Sequence, residues 1–335
     1  MKCQNFLKKI NFHNKLIILI SILISLFFVE LLLYFDNKNF YEPIYFKKKI
    51  GGKIFKLSSV EISQSELSQF VFFGDSFMMG KKCGNKKSLP SLFSKDFKNK
   101  YGVINFGQPG LNAIQIYSNI KIFLENEEKP KKIIIGLYSN DIHMDKSYCD
   151  FINDIKKNNL FSKKDIEELE LFCSKNKYID KLTKPDWHKF GITQLINESI
   201  VKLLTIFKIN KFNSRNKFYN DLRNLDSLEN KLLRYSIIKI SEILENYNVK
   251  SFLFFFPNAE NLNLDSDISK SYNFISKKLS DNFNITVFNG YKFFNLNYNK
   301  SMTASLLDKH SDCRYYEIIH EYLKKNESFF RISNK

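Results

Sequence analysis

Five positions carry groups that together could cleave or transfer an ester-linked acyl group: Ser76, Gly107, Asn140, Asp308 and His310. A serine hydroxyl is a weak nucleophile until a base takes its proton. His310 is the best placed of the five histidines, because Asp308 stands two residues before it in a loop and can turn back to the imidazole Nδ1–H. A carboxylate there fixes the tautomer and stabilises the imidazolium. Of the others, His13 precedes a long apolar segment, His143 follows a strand, His188 lies in a polar insertion and His320 in the last helix. The oxyanion of a tetrahedral intermediate needs donors that are fixed before charge develops. The candidates are the Ser76 N–H, the Gly107 N–H and the Asn140 side-chain amide. Glycine permits close approach and unusual backbone angles, and an amide donates while staying neutral. Judged singly, each has a plain structural explanation: Ser76 as a helix N-cap, Asn140 as a turn residue, Asp308-x-His310 as an ordinary loop.

Their strength lies in order and placement. Gln69 to Phe73 is a short apolar run read as a buried strand, followed by Gly74-Asp75-Ser76-Phe77. Gly102 to Phe106 is a second such run, followed by Gly107-Gln108-Pro109-Gly110, and Lys132 to Leu137 a third, followed by Tyr138-Ser139-Asn140-Asp141. Short apolar runs bounded by glycine and polar residues read as fully buried strands. A helix is expected to start near Ser76, where its N–H groups would favour a developing anion. Asn112 to Asn126, with Ile116, Ile120 and Phe123 at helical spacing, predicts another. Strands alternating with helices imply a parallel sheet covered on both faces, an α/β fold. In such a sheet the carboxyl ends of the strands open into one crevice, so residues distant in sequence become neighbours.

Between Asp145 and Glu229 the alternation stops. Helices are expected over about 163–174 and 193–207, separated by a polar segment holding the single Trp187. This stretch is too long for an ordinary loop and reads as a helical insertion over one edge of the sheet, a lid or substrate-binding subdomain (145–229). Alternation resumes with a helix over Leu232–Asn246, a strand over Lys250–Phe256, a helix over Ser269–Leu279, a strand over Ile285–Phe288 and a last helix over Tyr315–Lys325.

The four blocks resemble the SGNH, or GDSL-type, hydrolase family. Gly74-Asp75-Ser76-Phe77 is similar to its nucleophile block, Asn105-Phe106-Gly107-x-x-Gly110 to its glycine block, Asn140-Asp141 to its asparagine block and Asp308-x-His310 to its final block. The resemblance runs from about Gln69 to the C-terminus, apart from most of the insertion. It implies a three-layer, flavodoxin-like parallel sheet and ester hydrolysis or acyl transfer without a cofactor. It further implies Ser76 as nucleophile, His310 as base, Asp308 as its partner, and an oxyanion hole of Ser76, Gly107 and Asn140. Two positions depart from the family pattern. Tyr138 stands where a glycine is common, two residues before the asparagine, and Ser311-Asp312-Cys313 follows the histidine.

Ahead of these blocks, Leu16 to Phe35 reads LIILISILISLFFVELLLYF, interrupted only by Ser21, Ser25 and Glu30. Twenty apolar residues match a bilayer core, and Lys2, Lys8, Lys9 and Lys15 before them place the N-terminus in the cytoplasm by the positive-inside rule. No small-residue cleavage site follows, which separates this segment from a signal peptide. The organisation expected is a basic cytoplasmic tail (1–15), a transmembrane anchor (16–35), a connector (36–68) with short strands around 54–57, and an extracytoplasmic hydrolase-like domain (69–335). In that placement Cys83, Cys149, Cys173 and Cys313 face an oxidising space, where they can pair or remain as buried thiols.

Composition narrows the classes further. The 335 residues carry a formal charge of +17, but lysine supplies nearly all of it and arginine is scarce. Bidentate reading of bases and phosphates favours arginine, so nucleic acid is not the expected partner, and the lysine excess reads as compositional bias plus solubility. Phenylalanine, with 34 residues, is expected to fill the core. No Cys/His spacing suits zinc, and the run from Gly74 to Gly80 lacks both the Walker lysine and the dinucleotide glycine spacing. The leading expectation is a serine esterase or O-acyltransferase acting on acyl groups, acetyl first, of a cell-envelope polysaccharide, alongside envelope-biosynthesis partners. The rivals are a lipid-directed esterase and an inert anchored assembly or binding protein, which would hold Ser76 and His310 too far apart to touch.

Overall fold

In the computed structural model, described residues are 12–38, 45–58, 69–96, 101–127, 129–138, 141, 144–179, 223–259, 262, 267–282, 285–294, 302–303 and 310–325. Five parallel strands form the central sheet: β3 (Gln69–Gly74), β4 (Gly102–Gly107), β5 (Lys132–Leu137), β6 (Lys250–Phe255) and β7 (Thr286–Asn289). Their order is β4-β3-β5-β6-β7, all parallel. This is the flavodoxin-like order, whose switch point lies where the connections after its first strand diverge to either side. Here that strand is β3, flanked by β4 and β5.

Period-two alternation sorts the strand side chains between two layers. Val71, Phe73, Ile133, Ile135, Leu253 and Phe255 pack on one face against α5 (Ala113–Asn126), α8 (Leu228–Asn246) and α9 (Asp267–Asn282). Phe70, Phe72, Ile134, Phe252 and Phe254 pack on the other against α2 (Ser76–Met79), α4 (Leu89–Asp96) and α10 (Cys313–Lys325). Both faces are covered, so the strands read as continuous apolar runs rather than alternating ones. Phenylalanine does much of the filling, as with the Phe73 and Phe106 rings stacked at 5.0 Å and Phe123 edge-on to both. α5 begins with a reciprocal capping box between Asn112 and Gln115. α8 begins at Leu228, four residues before the expected start, because the Ser227 side chain accepts the Asn230 N–H.

The connector contains an antiparallel hairpin, β1 (Tyr45–Ile50) and β2 (Lys53–Ser58). Its turn is Gly51-Gly52, both at positive φ, the backbone a two-residue hairpin requires. Phe55 of β2 is fully buried against Phe106 of β4.

In the insertion, a 3-10 turn (Lys146–Phe151) leads into α6 (Ile152–Ile155) and α7 (Lys163–Ile179), which runs beyond the expected 163–174. Tyr148, Ile155, Leu169, Leu232 and Tyr235 form a separate apolar cluster, and a disulfide joins Cys149 to Cys173. The helix expected over 193–207 and Trp187 lie outside the described residues.

The N-terminal apolar segment forms α1 (Phe12–Lys38). Ser25 donates to the carbonyl of Ser21 one turn back. The described side chains, Leu16–Leu32, are largely exposed. Among the described residues no helix is long and apolar enough to cross a membrane.

Candidate active site

β3 and its two neighbours end in register, with Gly74 beside Gly107 and Gly136. The missing side chains let α2 lie against the sheet. A Cβ on Gly107 would stand 2.3 Å from Met79 N, and one on Gly74 would stand 2.6 Å from the Gly136 carbonyl oxygen. Ser76 is the first residue of α2 rather than its cap. The cap is Asp75, whose Oδ1 accepts the Phe77 N–H at 2.8 Å. With only four residues, α2 holds the serine in a tight turn but supplies none of the helix field that the sequence reading assigned to it. Gly80 closes it in the left-handed conformation, φ 77.

His310 meets Ser76 there. Its Nε2 lies 2.9 Å from Ser76 Oγ. The imidazole stacks on the Phe77 ring at 5.5 Å, and Tyr138 stacks on the same Phe77 ring at 3.8 Å. Tyr138, in the position where the resembling family commonly has glycine, thus walls one side of the site. The residues after His310 are each tied down. Ser311 bridges to Thr303, the Asp312 N–H donates to the Met302 carbonyl, and Asp312 Oδ1 accepts the Tyr315 N–H at the start of α10. Cys313 is disulfide-bonded to Cys83. That sequence, which departs from the family pattern, is what anchors the histidine loop.

Two buried carboxyls lie under the nucleophile. Asp75 and Asp141 are both fully buried, and each carboxyl acts on the titration of the other. Asp75 Oδ2 is 3.2 Å from Ser76 Oγ, and Asp141 Oδ2 accepts the Tyr138 N–H at 2.7 Å. Two interacting buried carboxyls retain a proton more readily than they carry two negative charges. Desolvation, then the Asp75 charge, raises the Asp141 pKa well above the usual carboxylate range. Desolvation also raises Asp75, to about 6, against the opposing pull of the Phe77 N–H and His310. Both directions favour a proton retained on the pair, Asp141 being raised the more strongly.

The expected oxyanion donors fare differently. The Gly107 N–H donates to Asn105 Oδ1 at 2.8 Å, while Asn105 Nδ2 donates to the Met78 carbonyl. Gly107 is thus a packing and hydrogen-bonding residue, not an open donor, because its hydrogen already has a buried partner. Farther along the same loop Gly110 has φ 75 and open space where a Cβ would stand. Asn140 and Asp308 lie outside the described residues, as do His143 and His188. His320 is buried in α10 with Nε2 3.1 Å from Asp96 Oδ2, far from a catalytic role, and burial lowers its pKa. Among the described residues no cluster of His, Cys, Asp or Glu could hold a metal ion.

Asp75, Asp141, Asn105 and the Cys83–Cys313 pair had no role assigned from sequence. The aspartates did have a signal: each follows the glycine-bearing end of a strand, and those two strands are adjacent.

No protein-family model matches the chain, and no curated protein does. Solved structures similar to it include a member of the lipolytic protein G-D-S-L family from Veillonella parvula DSM 2008 (13% identity, 79% of this chain and 99% of that one, TM-score 0.41). A lipase/acylhydrolase from Enterococcus faecalis is similar at 13% identity, over 80% and 99%, with TM-score 0.41. A carbohydrate acetylesterase family member from Sinorhizobium meliloti is similar at 11% identity, over 78% and 97%, with TM-score 0.36.

Proposed function

We propose that the protein is a serine esterase or O-acyltransferase with Ser76 as nucleophile and His310 as base. The observation that carries this is the 2.9 Å approach of His310 Nε2 to Ser76 Oγ in a site at the switch point of the sheet. An inert scaffold has no need of that contact. Ser76 Oγ attacks the ester carbonyl as its proton passes to His310 Nε2. The tetrahedral intermediate collapses, the imidazolium returns the proton to the leaving alkoxide, and the acyl group stays on Ser76. Water, or a sugar hydroxyl, then gives its proton to His310 and takes the acyl group, and His310 returns that proton to Ser76 Oγ as the acyl–oxygen bond breaks.

Asp308 is assigned to the imidazole Nδ1–H on its two-residue spacing. The Ser76 N–H and the Asn140 amide are assigned to the oxyanion, with the Gly110 N–H in place of that of Gly107. The substrate proposed is an O-acylated, first of all O-acetylated, cell-envelope polysaccharide. The exposed apolar face of Leu16–Leu32 supports a chain held at a membrane and keeps a long-chain lipid ester as the second reading. The two disulfides support an oxidising location for the catalytic portion, with the lysine-rich N-terminus on the cytoplasmic side.

The test uses the full chain in detergent. Hydrolysis of 4-nitrophenyl acetate, together with labelling of Ser76 by a fluorophosphonate located by peptide mass, is expected. Absence of both in folded protein overturns the esterase reading. Release of acetate from O-acetylated polysaccharide, compared with cleavage of 4-nitrophenyl palmitate, separates glycan from lipid. Sedimentation with membranes after a carbonate wash tests the anchor.

A further inference from the structure

The nucleophile and base blocks are joined covalently. Cys83 stands seven residues after Ser76, and Cys313 three residues after His310. Resting on the esterase reading above, we propose that the Cys83–Cys313 disulfide is a positioning element of the active site: it sets the approach of His310 to Ser76, and turnover depends on its oxidation state.

The path from Ser76 to Cys83 is short and hydrogen-bonded at each step. The Met79 N–H donates to the Asp75 carbonyl, Gly80 to Phe77, Lys81 to Ser76 and Cys83 to Gly80. A displacement of Cys83 is therefore passed to the serine. The path from Cys313 to His310 is shorter still and is held by the Asp312 N–H on Met302 and the Ser311–Thr303 bridge. The staple thus closes a small ring whose last side is the Ser76–His310 hydrogen bond itself. The two half-cystines are 230 positions apart in the chain, so nothing local in sequence keeps the blocks together. α10 also touches α4 through His320 and Asp96, but that contact lies two turns along the helix, where a small pivot still moves the histidine. Proton transfer tolerates little such movement, since an error of about 1 Å in position can lower a rate by roughly 100-fold. Cys83 is buried in the apolar layer beneath α10, which shields the bond from casual reduction.

The second disulfide, Cys149–Cys173, lies within the insertion, where Cys173 packs with the separate cluster around Tyr148 and Leu169, so it serves as the internal control. Reduction by dithiothreitol transfers two electrons and two protons: Cys83 and Cys313 become thiols and the reagent closes to its cyclic disulfide.

The experiment compares the full chain with Cys83→Ala/Cys313→Ala and with Cys149→Ala/Cys173→Ala, using 4-nitrophenyl acetate well below the unfolding midpoint of each. The first pair is expected to lower kcat by about 10- to 100-fold with KM within about twofold, and the second to leave kcat unchanged while lowering the midpoint. A folded Cys83→Ala/Cys313→Ala protein with unchanged kcat overturns the proposal. Should that variant not fold, the wild-type chain is reduced stepwise and alkylated, and peptide mass identifies which bond is open. Activity lost in step with the Cys83–Cys313 bond, and restored on reoxidation, supports the proposal. Activity that persists with that bond open, or that follows Cys149–Cys173 instead, refutes it. Wild-type protein that is fully oxidised yet neither turns over ester nor takes the fluorophosphonate marks a different failure, that of the esterase reading.

Discussion

His310 Nε2 sits 2.9 Å from Ser76 Oγ although 234 residues separate them. The contact joins a turn after the first strand of the sheet to the loop before the last helix, and the same serine oxygen is 3.2 Å from Asp75 Oδ2. The hydroxyl has one proton and two acceptors. The shorter approach favours the imidazole, the acceptor from which a proton can later be returned to a leaving group.

Replacing either partner separates chemistry from folding. Ser76→Ala is expected to abolish fluorophosphonate labelling and lower kcat by at least about 1000-fold. His310→Ala should lower kcat by roughly 100- to 10,000-fold, with the unfolding midpoint of both variants close to wild type. Steady-state kinetics beside thermal melts check this, and a Ser76→Ala protein with wild-type turnover would sink the assignment.

The two asparagines of the strand ends should part company. Asn105 is buried and satisfies the Gly107 N–H. Asn105→Ala leaves that donor unpaired, at a cost of about 1–3 kcal/mol in stability. Asn140, assigned to the oxyanion, should instead cost kcat about 100- to 1000-fold when changed to alanine. Denaturant titration and kcat measured on both variants test the division. A stable Asn105→Ala protein, or a fully active Asn140→Ala protein, removes the corresponding half of it.

How much of this was open to reading in the sequence depends on burial. β3, β4 and β5 stand within a residue of their expected bounds, because parallel strands covered on both faces are uninterrupted apolar runs and glycines close them. The serine, the histidine and their strand-end setting were legible for the same reason. The hydrogen bonds that redistribute the roles were not. That Asn105 occupies the Gly107 N–H depends on a side-chain rotamer. That Asp75 meets Asp141 depends on β3 lying beside β5 with Gly74 level with Gly136. The pairing of Cys83 with Cys313 needed the tertiary fold, since four cysteines admit three connectivities. α2 came out too short for the field expected of it because Gly80 ends it after one turn.

Gly107 offers a test of the packing that carries the nucleophile. A methyl group there would meet Met79 N at 2.3 Å, and that neighbour is backbone, unable to rotate away. Gly107→Ala is expected to destabilise by about 1–3 kcal/mol or more and to disturb Ser76 by pushing α2 off the sheet. Gly110→Ala has room for the methyl group but a positive φ, so its cost should be nearer 1 kcal/mol, the lower end for a non-glycine residue in that region. Equal effects at the two positions would contradict the close approach of α2.

The carboxyl pair gives a pH signature whose sign can be worked out. Folding raises both pKa values, Asp75 to about 6 and Asp141 further in the same direction. A group protonated more readily when folded favours the folded state below its unfolded pKa of 3.8, and that advantage is lost as pH climbs through the folded value. The wild-type chain should therefore lose stability progressively from about pH 4 upward. Asp141→Asn keeps an acceptor for the Tyr138 N–H but cannot ionise. Its unfolding midpoint should match wild type near pH 4 and exceed it by a growing margin toward pH 8, with kcat largely retained. Asp141→Leu, which leaves the Tyr138 N–H without that acceptor, should lose stability at every pH. Thermal melts across that range decide the matter: an Asp141→Asn protein less stable than wild type at pH 8 would mean that Asp141 is needed as an anion, and the shared proton would have to be abandoned.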